Sequence, residues 1–316
     1  MRAEKIEDVL ACEDLSSESE QFLTLVLEIR EYAIDTLGLK NNSNYLRYVA
    51  TDRDYMVDVV SAAKDDSFEM YRWWFPFFGR FPYKGYFEKK DALREAARLE
   101  RKGYDVHVGQ ARAFSTLGFF SDPVYSFMKK YTVYELASLI IHEQVHATVF
   151  LKDQIQFNEE IATFIGNTGG LYFVEKKFGR DSKEYNSALL MQRDSEVFVD
   201  LIRSLHNELD EVYNSETDRE EKLTKKEKIV ENFKEYVTLN YDAYFQTGNY
   251  KGLSGADINN AFIASRMTYT LDLSLYEKLY EVEQRNLRAF VSRIKELKNY
   301  RGDPKEYIKN NMLNNE

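Results

Sequence analysis

The chain is poor in cysteine, proline and histidine. Its 316 residues include one cysteine, four prolines and four histidines. The single cysteine, Cys12, excludes an internal disulfide, so the fold has to be stabilised by a packed core. Because 44% of the residues are hydrophobic and 15% are aromatic, the chain is long and apolar enough to form a large core.

Long apolar runs and an excess of positive charge are also missing. No run approaches the roughly 18 apolar residues of a membrane span, so no integral membrane segment is expected in this chain. The net charge of −10 argues against nucleic acid and anionic membrane surfaces as main partners. The residues before Cys12 are charged and form no apolar region of an export signal. Cys12 is therefore expected to be an ordinary helix residue.

No proline-, glycine- or serine-rich linker divides the chain, which favours a single compact unit over residues 1–316. Residues 1–180 are expected to contain a small sheet and the helices of any functional site. Beyond residue 180 the apolar residues recur at helical spacing, which predicts a helical region over 181–316. Its segments are 181–214, 220–248, 256–267 and 273–298. The predicted fold class is mainly α, of the α+β type.

Half of the histidines lie in one pentapeptide, His142-Glu143-Gln144-Val145-His146. Helical residues that are four apart project from one face about one turn apart, so both imidazoles can reach one metal ion. Glu143 is rotated by about 100° from His142. It can therefore act on a metal-bound water as a general base without being a ligand. The pattern H-E-x-x-H on a helix is typical of zinc peptidases.

A helix is expected at this motif on independent grounds. Thr132 and Glu135 form a T-x-x-E capping box, and apolar residues then recur at helical spacing as far as Phe150, with no proline or glycine. In such an apolar helix the histidines and Glu143 are polar groups that need partners. These features count against the alternative, an ordinary amphipathic helix whose histidines bind nothing.

A third ligand can come from residues 157–164, which include Glu159 and Glu160. Asn158 is a favoured N-cap residue, so a second helix is predicted to begin there, with Glu159 in its first turn. A short polar loop would let this helix run antiparallel to the first and bring a carboxylate beside the histidines. The two glutamates differ by about 100° around the helix, so only one can face the histidines. The other could face solvent or bind the ammonium group of a substrate.

Two histidines and one glutamate would hold one zinc ion per chain. A His2Glu set leaves the fourth position open for water, which is the catalytic rather than the structural arrangement. Zinc lowers the pKa of its water to about 7, and Glu143 would take the proton as the water attacks a carbonyl carbon. The expected reaction is hydrolysis of a peptide bond.

Three glycines, Gly166, Gly169 and Gly170, fall within the second predicted helix. They do not form the pattern G-x-G-x-x-G and do not follow a strand, so they do not indicate a phosphate-binding loop. Close packing between the two helices is the expected reason for them.

Further segments stand out beside the metal motif. They lie at residues 73–76 and 82–87, at 114–118 with 122–123, at 141–147 and 157–164, and at 259–261 with Tyr269. Together they resemble a family of bacterial predicted aminopeptidases of the gluzincin type. The resemblance spans about residues 20–285 and is more specific than any one of the motifs.

The resemblance implies a zincin-like fold, with a small sheet beside the H-E-x-x-H helix, and a peptide substrate. It favours Glu159 over Glu160 as the third ligand, because N-E-x-x-A over residues 158–162 resembles the gluzincin ligand context. It assigns Tyr269 as the candidate donor to the oxyanion of the transition state. It also implies a location in the bacterial cell envelope.

The chain departs from this family at two positions. Phe114 stands where the family often has a tyrosine, so a phenolic donor is missing there. Thr163 stands four residues after Glu159, where better-known gluzincins have an aspartate that orients a histidine. Two alternatives stay open: an endopeptidase or other amide hydrolase with the same metal site, and a helical scaffold that binds zinc without turnover.

Overall fold

The computed structural model describes residues 3–75, 79–111, 122–268 and 273–313. Within these residues the chain is mainly helical and contains three small sheets. This confirms the predicted α+β class, while the zincin-like part of the prediction stays a prediction. No helix in these ranges is long and apolar enough to cross a membrane.

The helices and strands are numbered here in chain order. The helices are α1 (Ile6–Leu10), α2 (Ser17–Glu31), α3 (Lys89–Glu100), α4 (Val133–Thr148), α5 (Ile155–Phe178), α6 (Lys183–Tyr213), α7 (Arg219–Leu239), α8 (Tyr241–Tyr244), α9 (Asn260–Thr268), α10 (Ser274–Val282), α11 (Leu287–Glu296) and α12 (Pro304–Tyr307). The strands are β1 (Glu4–Lys5), β2 (Arg47–Val49), β3 (Val57–Lys64), β4 (Trp73–Phe75), β5 (Gly79–Phe81), β6 (Tyr83–Tyr86), β7 (Tyr104–Ala111) and β8 (Val124–Tyr125).

These elements form two compact units. The first comprises the described residues of Met1–Asp54, Ser115–Leu189 and Leu271–Glu316. The second comprises the described residues of Tyr55–Phe114 and Leu190–Thr270. That the whole chain acts as one catalytic unit, as the sequence predicts, stays a prediction.

Each unit has its own sheet. In the first unit β2 lies between β1, to which it is antiparallel, and β8, to which it is parallel. In the second unit β3 lies between β6 and β7 and is antiparallel to both. A separate hairpin of β4 and β5 also belongs to the second unit. β3 is therefore the central strand of its sheet, and its apolar residues Val60 and Ala62 are fully buried.

Several details of the helical prediction need correction. The predicted segment 220–248 is divided into α7 and α8 and ends at Tyr244, and the helix within 256–267 begins only at Asn260. The predicted helix over 273–298 is broken between α10 and α11, where Gln284 and Arg285 both have positive φ angles, of 54° and 56°. The apolar spacing continues across the break, so periodicity alone did not reveal it. Cys12 lies just after α1 rather than within it.

Helices α4 and α5 form the part of the first unit that carries the metal motif. They run antiparallel, since positions along α5 meet successively earlier positions along α4. A Cβ atom on Gly166 would lie 2.8 Å from the carbonyl oxygen of Ser138 and 3.1 Å from Cβ of His142. At Gly170 a Cβ atom would overlap the Ser138 hydroxyl. The glycines therefore allow the close helix packing that the sequence predicts.

Candidate metal centre

Helix α4 begins where the capping box predicts. The Thr132 Oγ1 atom accepts a hydrogen bond from the backbone N–H of Glu135 at 3.2 Å. The Glu135 carboxylate accepts one in return from the backbone N–H of Thr132 at 2.9 Å. This reciprocal pair sets the start of the helix, and the helix then continues to Thr148. Both motif histidines consequently lie in its last two turns, on one face.

Helix α5 begins earlier than predicted, and Asn158 is not its N-cap. The helix starts at Ile155, so Glu159 lies in its second turn. The Asn158 side chain accepts a hydrogen bond from the N–H of Leu151 at 2.9 Å and donates one to the Leu151 carbonyl at 2.8 Å. Asparagine is a good cap because its side chain forms hydrogen bonds with the backbone. Here the same kind of hydrogen bond holds the loop between α4 and α5.

The side chains of His142, His146 and Glu159 converge at one point. The two Nε2 atoms are 3.1 Å apart. The Glu159 oxygens lie 3.6 Å from Nε2 of His142 and 3.5 Å from Nε2 of His146. Ligands about 2.1 Å from a tetrahedral zinc ion are separated from one another by about 3.4 Å. The 3.6 Å distance is to Oε2 of Glu159 and the 3.5 Å distance is to Oε1. With one ligand atom taken from each residue, the three donors lie within 4.8 Å of one another, which is close enough for them to share one metal ion.

Within the part of the chain that the structure describes, this is the one group of three or more histidine, cysteine or acidic side chains close enough to share a metal ion. Glu159 therefore lies with the histidines, as the resemblance favours, and the group combines two nitrogen donors with one carboxylate. That donor set suits zinc and leaves a coordination position open.

Burial and neighbouring charges set the protonation of these groups. Burial first, and then the charge of His142, lowers the pKa of His146 to about 4. Burial would also lower the pKa of His142, but its contact with Glu159 and the charge of Glu143 together raise it. Burial would raise the pKa of Glu159, but its contacts with both histidines lower it. The lowered pKa values of His146 and Glu159 favour the neutral imidazole and the ionised carboxylate that bind a cation. The raised pKa of His142 instead favours a proton on its ring, which a bound cation has to displace.

Glu143 is 7% exposed and lies beside the ligand group. It directly follows His142 in α4, and its charge contributes to the raised pKa of that histidine. Glu143 is thus buried and close to the histidines without belonging to the group of three donors. This is the place that a general base needs.

Tyr45 is a neighbour of this site that sequence reasoning missed. It is 2% exposed, and burial first, followed by the charge of Glu143, raises its pKa well above the usual value. Its φ angle is 58°, a left-handed conformation that is uncommon for an aromatic residue. Its backbone N–H donates to the carbonyl of Asp122 at 2.7 Å. The preceding residues 41–44 indicate only a loop, so no local pattern marks Tyr45.

Glu160 occupies a different environment from Glu159. It is fully buried, so the expectation that the second glutamate faces solvent is wrong. One carboxylate oxygen accepts hydrogen bonds from Lys305 Nζ at 2.6 Å and from Gln156 Nε2 at 2.9 Å. The other accepts one from the Tyr276 hydroxyl at 2.6 Å. Because groups of the chain bind both oxygens, Glu160 is a poor candidate for a substrate ammonium.

The departures from the family pattern bear on the surroundings of the ligands. A metal-binding histidine usually donates its second ring N–H to a carboxylate or carbonyl. For His146 that atom, Nδ1, is buried without a hydrogen-bond partner among residues 3–75, 79–111, 122–268 and 273–313. This agrees with the replacement of the usual aspartate by Thr163. Tyr269, the candidate oxyanion donor, and Phe114 both lie outside the described residues.

We expect Gly166→Ala to weaken zinc binding more than Gly169→Ala. A Cβ atom at 166 would press on backbone of Ser138 and on His142 itself, so α4 has to shift relative to Glu159. At 169 the nearest atoms are the ends of the Leu37 and Ile141 side chains, at 3.0 and 3.2 Å, which can rotate away.

Zinc titration in competition with a chelator measures both affinities. The expected loss is about tenfold or more for Gly166→Ala and less than about threefold for Gly169→Ala, in the range seen when the support of a metal ligand is disturbed. Equal affinities in the two variants would contradict this account of the packing.

The chain matches a known family over almost its whole length. The sequence model of the family described as putative aminopeptidase covers residues 1–307. This range includes α4 and α5, the helices that carry His142, His146 and Glu159. No curated protein and no solved structure matches the chain.

Proposed function

We propose that this chain, which belongs to the putative aminopeptidase family, is a zinc-dependent aminopeptidase. The observation that carries the proposal is the convergence of His142, His146 and Glu159, whose donor atoms are close enough to share one metal ion, with Glu143 buried beside them. The family description supports peptide hydrolysis from the amino terminus. The geometry of the donors supports the dependence on zinc.

The three donors would hold the metal, and other residues of the chain would transfer the proton and stabilise the oxyanion. When bound, zinc supplies a Lewis acid and lowers the pKa of a water to about 7. Glu143 accepts the proton of the attacking water and then delivers it to the leaving amine. Its near-complete burial keeps bulk water from competing for that proton. By resemblance, Tyr269 is the candidate donor to the oxyanion.

An aminopeptidase also needs an acidic group for the free ammonium of its substrate. Glu160 is bound by Lys305 and Tyr276, so another acidic residue has to bind the substrate ammonium. Peptides with a free and with an acetylated amino terminus separate the alternatives. An aminopeptidase cleaves only the free peptide, whereas an endopeptidase with the same centre cleaves both. Tight zinc binding without cleavage of either peptide would favour the alternative of a helical scaffold that binds zinc without turnover.

The direct test is the metal content of the purified protein and of two histidine variants. We expect about one zinc per chain in the wild type and almost none in His146→Ala, because a structural or catalytic site of this kind needs all its protein ligands. The matched control is His206→Ala. His206 stacks on Phe68, with ring centroids 4.1 Å apart, and is not in the ligand group, so its loss should leave the zinc content unchanged.

Two results would count against the proposal. A wild-type protein that takes up no zinc even when the metal is supplied has no such centre. Equal zinc in the wild type and in His146→Ala would mean that the ion is held elsewhere.

A further inference from the structure

Positive charge is concentrated in one segment of the second unit. Residues 71–103 contain nine lysines and arginines against four acidic residues, so the segment has a net charge of +5 within a chain whose net charge is −10. The acidic charge of the whole chain conceals this basic region. Net charge by itself therefore does not exclude an anionic partner for it. Strands β4 and β5 form a hairpin within the segment.

The two faces of this hairpin differ, because side chains alternate along a strand. Trp73 lies on the inner face, where it is 7% exposed and its Nε1 donates a hydrogen bond to Oε1 of Glu95 on α3 at 2.8 Å. Phe75 and Phe81 lie on the same face, with ring centroids 5.9 Å apart. A strand that turns Trp73 inward has to turn Trp74 outward. The packed inner face thus holds the outer face in place.

The outer face presents a tryptophan beside two arginines. Trp74 is 68% exposed and lies directly opposite Arg80 of β5 in the hairpin register. The rings of Tyr71 and Trp73 contact each other on the inner face, with centroids 4.8 Å apart, so Arg72 between them points outward. Arg72 and Arg80 are both exposed. We call Arg72, Trp74 and Arg80 the hairpin face.

The arginines of the hairpin face have no ion pair or hydrogen bond with any residue that the structure describes. By contrast, two of the four acidic residues of the segment are paired with its own arginines, Asp91 with Arg94 at 3.1 Å and Glu95 with Arg98 at 2.7 Å. The lysines at 89–90 lie in the first turn of α3, where the helix dipole disfavours cations. Folding therefore does not account for the positive charge, which is free to meet an anion.

We propose that the hairpin face binds the surface of a lipid bilayer that contains anionic lipids. Tryptophan is favoured at the boundary between the headgroups and the hydrocarbon, because its ring is apolar and its indole N–H is polar. Trp74 inserts there, and Arg72 and Arg80 bind the headgroup phosphates through their guanidinium N–H groups.

The size of the hairpin face favours a bilayer over a soluble acidic protein. β4 and β5 have three residues each, whereas a stable protein interface buries about 800 Å² on each partner. Three side chains fall short of that area. A bilayer surface needs less, because one inserted ring and a few cations together give measurable binding.

Vesicle sedimentation tests the proposal on the whole chain. Vesicles of phosphatidylcholine with about 30% phosphatidylglycerol should bind the protein at least about tenfold more tightly than phosphatidylcholine alone, since each cation near an anionic surface strengthens binding about fivefold. Raising the salt from about 0.05 M to about 0.5 M should release the protein, because salt screens exposed charges. Equal binding to both kinds of vesicle, or binding to neither, would overturn the proposal.

Tryptophan fluorescence reports on the contact directly. The chain has two tryptophans, and Trp74 is the exposed one. Its insertion should shift the emission to shorter wavelength, and lipids with brominated acyl chains should quench it. Poly-L-glutamate supplies negative charge without an apolar phase. Binding to this polymer as tight as to the anionic vesicles, or vesicle binding without a change in emission, would identify a purely electrostatic contact and overturn the proposal.

Variants locate the contact on the hairpin face. Trp74→Ser and the double variant Arg72→Gln/Arg80→Gln should each weaken binding to the anionic vesicles at least about tenfold. All three side chains are exposed, so these proteins should fold, and circular dichroism checks that they do. Unchanged binding in either variant would show that the hairpin face is not the contact.

Matched controls remove the same chemistry elsewhere on the surface. Leu239→Ser removes an apolar side chain that is 76% exposed. The double variant Lys298→Gln/Arg301→Gln removes two exposed cations. Both should bind the anionic vesicles as the wild type does. A loss in the controls equal to that in the hairpin variants would mean that overall charge and hydrophobicity, rather than this face, determine the binding.

Vesicle binding is measured without added zinc or peptide, so its outcome is independent of the proposed function. If the protein binds zinc and hydrolyses peptides but does not bind the vesicles, only the membrane proposal fails. If it binds the vesicles but takes up no zinc, only the proposed zinc chemistry fails.

Discussion

Glu143→Gln will keep the metal and lose peptide hydrolysis. The amide has nearly the same size as the carboxylate, so α4 and the three donors should stay in place. It cannot accept a proton from water, and the loss of a general base typically costs about 10²- to 10⁴-fold in rate. We expect kcat to fall by that factor while KM changes little, because the substitution removes a step rather than a binding contact.

The matched control is Glu135→Gln, on the same helix. Glu135 acts in the capping box, where glutamine serves as well as glutamate, so this variant should keep full activity. Zinc content is measured in both proteins beside the hydrolysis of an unblocked peptide. Full activity in Glu143→Gln would remove Glu143 from the mechanism. Loss of zinc in that variant would instead make Glu143 a ligand.

Lys305→Met will cause a large loss of stability. The substitution leaves the Glu160 carboxylate, which is fully buried, without its cation. Breaking one side of a buried ion pair costs about 3–5 kcal/mol. The lower end applies here, since the Lys305 side chain is 31% exposed and water can partly replace it.

The double variant Glu160→Gln/Lys305→Met should recover most of that loss, because it removes both charges together. Tyr276 and Gln156 can still form hydrogen bonds with the amide. Lys309→Met, at an exposed neighbouring lysine, is the control and should change the free energy of unfolding by less than about 0.5 kcal/mol. Urea denaturation followed by circular dichroism measures all three. A double variant no more stable than Lys305→Met would show that the uncompensated charge is not the cause.

The local part of the candidate site could be predicted from the sequence. The capping box of Thr132 and Glu135 and the apolar spacing after it predict the start and the course of α4. Once that helix is present, its geometry places His142 and His146 on one face. The whole inference depends on residues within about five turns of one helix, where hydrogen bonds and side-chain positions are determined by neighbours in the chain.

The third donor could not be chosen from the geometry of a single helix. Helical geometry allowed Glu159 or Glu160 but not both, so only the family resemblance favoured Glu159, and the predicted start of α5 at Asn158 was wrong. The choice depends on the rotation of α5 about its axis. That rotation follows from close packing on α4 at Gly166 and Gly170 and from the bond between Asn158 and the loop. These are contacts between elements, and no periodicity within one element determines them.

Longer-range features were decided by the tertiary structure alone. Lys305 meets Glu160 across 145 residues of chain, and Asp194 meets Thr247 across 53. Neither pair forms a spacing that a helix or strand repeats, so neither carries a signal in the sequence. The sequence by itself thus determined which helix carries the two histidines. Which carboxylate joins them, and which is buried in an ion pair, depended on how the helices pack.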